Sequence, residues 1–231
     1  MEKVKFQDLG HISYQKAWDY QHKLLEGMRT VKLNNRKLPK EDHVKQLHHL
    51  LFCEHPHVYT LGRSGSIENL LLNETELQEK AIEFFKINRG GDITYHGKGQ
   101  ITGYPIFDLG CFFTDIRKYI DYLENAVIRT LAEYGIKGER SKGESGVWID
   151  VANNPRKICA VGVHLSRWIT MHGFAFNINT NLDYFKNIIP CGITDKGVTS
   201  LQAELGREID IEEVKNKLKG HYKDLFDFKY I

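Results

Sequence analysis

Cysteine, proline and net charge are all scarce in this chain of 231 residues. Its four cysteines, Cys53, Cys111, Cys159 and Cys191, form no CxxC pair and keep no regular spacing, which speaks against a zinc ribbon or a disulfide framework. In a reducing compartment each is either a small apolar filler or a reactive thiol. There are five prolines and no repeat, low-complexity tract or evident linker, so the length suits one large domain or two small ones. Basic residues number 32 against 30 acidic ones, and a net charge of +2 is too small to point to nucleic acid. No apolar run approaches the ~18 residues that span a bilayer. The first residues, Met1-Glu2-Lys3-Val4-Lys5-Phe6, lack the apolar centre of a signal peptide. The expectation is a cytoplasmic protein, monomeric by default, that engages neither membrane nor nucleic acid.

What is present is an ordinary globular composition, 41% hydrophobic and 27% charged. Helical spacing of Ala17, Tyr20, Leu24, Leu25 and Met28 predicts a helix over 14–28. Short strands are predicted at 48–53 and 58–61, around a turn at Pro56. Asn73 with Glu76 three residues on reads as a capped helix start. Strands at 82–87 and 101–109 flank a glycine-rich stretch. Thr114 or Asp115 then caps a long helix through Ile116, Ile120, Leu123, Val127, Leu131 and Tyr134, which Gly135 ends. Further strands are expected at 146–151, 157–165 and 168–178, and helices at 199–204 and 210–218, the last capped by Asp210. Strands grouped with few helices between them argue an α+β layered arrangement of the α/β kind, rather than a regular βαβ alternation. Six basic residues between Arg29 and Lys45 are opposed only by Glu41 and Asp42. They read as solvated surface or as a docking face for an acidic partner.

Three places carry candidate chemistry. The stretch Arg89-Gly90-Gly91-Asp92-Ile93-Thr94-Tyr95-His96-Gly97-Lys98-Gly99-Gln100 packs four glycines into twelve positions. Such density allows close backbone approach to a ligand, or simply a glycine-rich hairpin turn. Lys157 opens an apolar strand, where alternation places it on the side of Cys159, Val161 and Val163. A partly desolvated lysine there can act as a base, or its stem can snorkel at a strand edge. Cys191 differs from the other cysteines in lying between Pro190 and Gly192, in a turn that leaves a thiol approachable. An adjacent ammonium would raise its thiolate fraction. His96 is either a hydrogen-bonded structural residue or a donor to a developing oxyanion. His172, before Gly173-Phe174-Ala175, sits where a small-large-small pattern can line a narrow apolar tunnel or pack a core.

Taken together, His55-Pro56-His57-Val58-Tyr59-Thr60-Leu61-Gly62-Arg63, the stretch 89–100 with Gly103-Tyr104-Pro105, Gly146-Val147-Trp148, Arg156-Lys157-Ile158, Gly162-Val163, His172-Gly173-Phe174-Ala175-Phe176-Asn177 and Pro190-Cys191-Gly192-Ile193 form an ordered series over residues 55–205. With these motifs the chain resembles the lipoyl(octanoyl) transferases of lipoate biosynthesis. The resemblance implies a mixed β-sheet with flanking helices, similar to the catalytic domains of biotin and lipoate protein ligases, as one catalytic domain over 1–231. It implies Cys191 as the nucleophile that carries an octanoyl thioester and Lys157 as its proton partner. It implies an acyl-binding surface from Arg89, Gly90, Gly91, Asp92, Ile93, Thr94, Tyr95 and His96, from Ala160, Val161 and Gly162, and from Gly173, Phe174 and Ala175. The implied donor is octanoyl-acyl carrier protein. The implied acceptors are lipoyl domains of 2-oxoacid dehydrogenase complexes and the glycine cleavage H protein, with no ATP, metal or other cofactor. Many members have Gly-Pro-Gly-Gln where this chain has Gly97-Lys98-Gly99-Gln100. The competing expectations are an ATP-dependent lipoate or biotin ligase, which uses a lysine without a catalytic cysteine, and a non-catalytic acyl-binding module.

Overall fold

Period-two apolar patterns with both parities buried build the central sheet, and apolar stripes at helical spacing cover its two faces. The structure is a computed structural model that describes residues 1–189 and 196–231. In chain order the elements begin with β1 (Glu2–His11), α1 (Tyr14–Asn35), β2 (His48–Glu54), β3 (Val58–Leu61), α2 (Glu74–Glu79) and β4 (Glu83–Lys86). They continue with β5 (Ile93–His96), β6 (Gln100–Ile106), α3 (Ile116–Glu133), β7 (Glu139–Ser141), β8 (Glu144–Ile149) and β9 (Arg156–Ser166). The last are β10 (Ile169–Asn177), β11 (Gly197–Val198), α4 (Leu201–Leu205), α5 (Ile211–Phe226) and β12 (Phe228–Tyr230).

The large sheet runs β12-β1-β2-β6-β10-β9-β8-β7, with β11 added beside β9. β1 pairs parallel with β12 and β2, and β11 pairs parallel with β9; the other pairings are antiparallel. On β2, Leu50 and Phe52 join Val127, Leu131, Leu218 and Tyr222 in the core under α3 and α5, while Leu51 and Cys53 join Ala17, Leu25 and Met28 under α1. A smaller sheet, β4-β3-β5, has its own core of Tyr59, Leu61, Ile93 and Tyr95, closed by Leu77 of α2 and Ile188. The layered mixed sheet with flanking helices is the expected fold class.

Several boundaries move. β2 and β3 are consecutive in sequence yet lie in different sheets. β5 arises inside the glycine-rich stretch, where Ile93 and Tyr95 alternate with Thr94 and pair with Leu61 and Tyr59. Helix α1 runs on to Asn35, whose amide exchanges hydrogen bonds with the backbone of Val44. Helix α5 runs on to Phe226, because Tyr222 and Phe226 extend the series of Val214 and Leu218 at intervals of four. The capping box of α2, Asn73 with Glu76, and the Asp115 cap of α3 form as their sequences predict.

Candidate active site

A cleft of about 1000 Å3, its open mouth included, lies between the large sheet and the β5 edge of the small one, with the loop that enters β5. From the glycine-rich stretch it receives Arg89, Gly91, Asp92, Ile93, Thr94 and His96. From β9 it receives Lys157, Ala160, Val161 and Gly162, and from β10 Gly173, Phe174 and Ala175. The two remaining expected residues face elsewhere. Gly90 is not a lining residue; its N–H donates to the carbonyl of Val163 at 2.9 Å, which docks the loop onto β9. Tyr95 turns into the small-sheet core, with its hydroxyl 2.7 Å from His57 Nδ1. Gly162 leaves close passage where the loop crosses: a Cβ there would lie 3.0 Å from the carbonyl oxygen of Gly90 and 3.1 Å from Arg89 Cδ.

Lys157 reaches the cleft through an irregularity that alternation does not foresee. β8 pairs Val147 with Cys159 but Trp148 with Lys157, so one extra residue, Ile158, bulges from β9. Ile158 and Cys159 belong to the core under α3, whereas Lys157 faces the cleft with Ala160 and Gly162. The expectation that Lys157 shares a face with Cys159 is thereby corrected. Gly146 makes room for the bulge: its φ is 117°, and a Cβ there would meet the Cys159 carbonyl oxygen at 2.4 Å. The Lys157 ammonium sits 4.6 Å from the centre of the Trp148 ring, a favourable cation–π geometry.

Cys191 lies outside the described residues, so its expected partnership with Lys157 is carried by sequence. The other three cysteines are described, and burial raises each thiol: Cys111 to about 11, and Cys53 and Cys159 further still. None of these three is an activated nucleophile.

A directional hydrogen-bond chain forms the polar side of the cleft. The Arg89 guanidinium donates to the Thr60 carbonyl at 2.6 Å and to Thr60 Oγ1 at 3.0 Å. Thr60 Oγ1 lies 3.3 Å from His96 Nε2, and His96 Nδ1 lies 2.9 Å from Gln100 Oε1. The Gln100 amide donates to the Tyr95 carbonyl and to Asn177 Oδ1, so its oxygen is the acceptor for His96. The neutral ring therefore carries its proton on Nδ1 and accepts from Thr60 on Nε2. Burial, then the charges of His55 and Arg89, hold His96 well below the ordinary histidine pKa. Both its nitrogens are engaged within the wall, the arrangement expected of a hydrogen-bonded structural residue.

Sequence reasoning singled out His172 without assigning it to the site, yet it lines the cleft. Its φ is 59°, a left-handed conformation that costs a non-glycine residue on the order of 1–3 kcal/mol. The Gln21 side chain accepts from its N–H at 3.0 Å and its Nε2 meets Asn88 Oδ1 at 2.8 Å, which holds it there. Trp148, quoted in the motif series without a site role, lines the cleft, as do Tyr14, Phe185 and Lys196, which were missed. Their signal is non-local, since each comes from an element that neither precedes nor follows the glycine-rich stretch.

Other features lie apart from the cleft or outside its chemistry. The basic stretch sits at the far end of α1: Lys32 pairs with Asp108 at 2.5 Å, while Tyr14 in the first turn lines the cleft. At 1.5 Å per residue these helix positions are roughly 27 Å apart. Among the described residues one trio, Glu2, His48 and Cys111, brings metal-type ligand atoms within 4.8 Å of one another. The Asp108 N–H donates to His48 Nδ1, so the neutral ring has its proton on Nε2, the atom facing Glu2, where a metal would have to bind. At Gly97-Lys98-Gly99-Gln100 the Gln100 N–H donates to the Gly97 carbonyl and Gly99 has a φ of 80°, as in a type II turn. Lys98 occupies the second position, where proline is favoured, and the turn forms without it.

The lipoyl protein ligase A/B catalytic domain model matches residues 13–223. The chain is 57% identical over 226 residues to an octanoyltransferase of Flavobacterium psychrophilum, covering 97% of each chain. It is 56% identical over 232 residues to one of Flavobacterium johnsoniae, covering 100% of this chain and 99% of that protein. In fold it is similar to the bi-partite lipoate protein ligase of Thermoplasma acidophilum, with a TM-score of 0.70 at 15% identity, over 100% of this chain and 86% of the other. It is also similar to the biotin protein ligase of Aquifex aeolicus, with a TM-score of 0.53 at 15% identity, over 98% and 71%.

Proposed function

We propose that this chain, which belongs to the lipoyl protein ligase A/B catalytic domain family, transfers an octanoyl group from the phosphopantetheine thioester of an acyl carrier protein to a lysine ε-amine on lipoyl domains, through a thioester on Cys191. The chain is an acyltransferase, and full-length similarity to octanoyltransferases is the observation that carries the reading. The exclusion of Cys53, Cys111 and Cys159 as activated thiols supports Cys191 as the nucleophile. The position of Lys157 in the cleft supports it as the proton partner.

An ordinary thiol with pKa near 8.5 is only ~3% thiolate at pH 7, so proton transfer to a nearby amine matters. The Cys191 thiolate attacks the thioester carbonyl, and the carrier's sulfur leaves and takes the proton that Lys157 held. In the second half-reaction the neutral acceptor amine attacks the acyl-enzyme, Lys157 accepts the amine's proton, and Cys191 departs as thiolate. Exchange between thiols is nearly balanced, so the first step needs positioning more than driving force. Thioester to amide is downhill, and the reaction runs without ATP or metal. The apolar part of the cleft, with Ile93, Val161, Phe174 and Ala175, holds the acyl chain. Each methylene contributes about 0.8 kcal/mol, so neighbouring chain lengths are only modestly discriminated.

Intact mass spectrometry after incubation with octanoyl-acyl carrier protein, without ATP, tests the reading. An octanoyl adduct is expected on the wild-type chain and none on Cys191→Ala. Retained turnover by that variant removes Cys191 as nucleophile, and transfer that requires ATP replaces the reading with a ligase.

A further inference from the structure

We infer that Lys196 is a positioning residue for acyl transfer, and that its ion pair with Glu144 is a clasp that fixes the chain at Lys196, five positions past Cys191, against β8. This rests on the Cys191 reading above. Lys196 Nζ lies 2.5 Å from Glu144 Oε1, with side chains only 23% and 21% exposed. Its ammonium is also 5.2 Å from the centre of the Trp148 ring, the same indole that holds Lys157 at 4.6 Å. Glu144 thus offsets one of two positive charges gathered at one aromatic ring. The next two residues form β11, paired in parallel with Arg156 and Lys157, and the Thr199 N–H donates to the Lys157 carbonyl at 3.0 Å. The chain five positions past Cys191 is therefore tied to β8 by charge, and its continuation to β9 by backbone hydrogen bonds.

Physical magnitudes separate this role from a structural one. A partly exposed ion pair contributes little to global stability. Misplacing a reacting group by about 1 Å, by contrast, can cost on the order of a hundredfold in rate. Loss of the clasp should leave the fold intact and slow the chemistry.

The test is the rate of octanoyl-thioester formation in the full-length protein, followed by intact mass with octanoyl-acyl carrier protein. Lys196→Met and Glu144→Gln are each expected to slow formation tenfold or more, with melting temperatures within about 3 °C of wild type and an unchanged KM for the carrier. Lys196→Arg is expected to retain most of the rate, and the reversed pair Glu144→Lys with Lys196→Glu to run faster than either single neutralisation. Wild-type rates in both neutralising variants overturn the clasp. So does a reversed pair no faster than the singles, or an effect confined to KM. A wild-type chain that forms no adduct overturns the Cys191 reading instead.

Discussion

Lys157 owes its orientation to one extra residue, Ile158, and to the absence of a side chain at Gly146. Under the proposed mechanism, Lys157→Ala removes a proton carrier used in both half-reactions. Each should slow by about 10²–10⁴-fold, the range for general acid–base groups, with an unchanged melting temperature. Separate single-turnover measurements of thioester formation and of amide formation check this. Lys98 offers the opposite kind of change. It sits at the second position of a type II-like turn, and among the described hydrogen bonds its N–H is not a donor. Lys98→Pro should stabilise by about 0.4–1 kcal/mol through the unfolded chain, read from urea unfolding, without loss of transfer.

At the scale of elements, local signals were readable and non-local ones were not. Asp115 accepts from the N–H groups of both Arg117 and Lys118, so Asp115→Ala should cost about 1 kcal/mol in urea unfolding. Ser13 precedes α1 but makes no side-chain cap bond, so Ser13→Ala should cost far less in the same measurement. The caps at Asn73 and Asp115 could be read because each is settled within four residues of chain. The second sheet could not: β3 leaves its predecessor for β4 and β5, and no pattern within β3 says which partner it takes. The bulge at Ile158 was hidden for a related reason. Alternation assumes no added residue, and the register of β8 is visible only once the strands are paired. The turn between β9 and β10 falls at Arg167 and Trp168, with φ of 53° and 69°, one residue later than the sequence suggests. Neither residue is a glycine or asparagine, so the usual hairpin marker was missing.

At the scale of the whole molecule, the three segments that the family resemblance singles out are far apart in sequence, and the cleft gathers residues from all three. Tyr14, Phe185 and Lys196 were not legible in the sequence, since only the meeting of two sheets brings them there. The same burial makes the fold sensitive to acid. Burial lowers His172 to about 3 and His55 to about 4. In the unfolded chain a histidine titrates near 6.5. Between about pH 6.5 and 4 the unfolded state therefore binds more protons, and stability falls as pH falls, at about 1.4 kcal/mol per pH unit for each fully neutral buried ring. Urea unfolding free energies should be level near pH 7 and decline below 6.5; a profile flat to pH 4.5 would contradict this.

β11 lies parallel to β9 with Val198 opposite Lys157. Cys191 and Val198 stand seven positions apart along the chain. In the proposed mechanism the chain that follows the nucleophile is anchored, from Gly197 on, beside the backbone of Lys157. Under the proposed mechanism, adding or removing one residue within that interval should slow thioester formation, since β11 stays paired with β9.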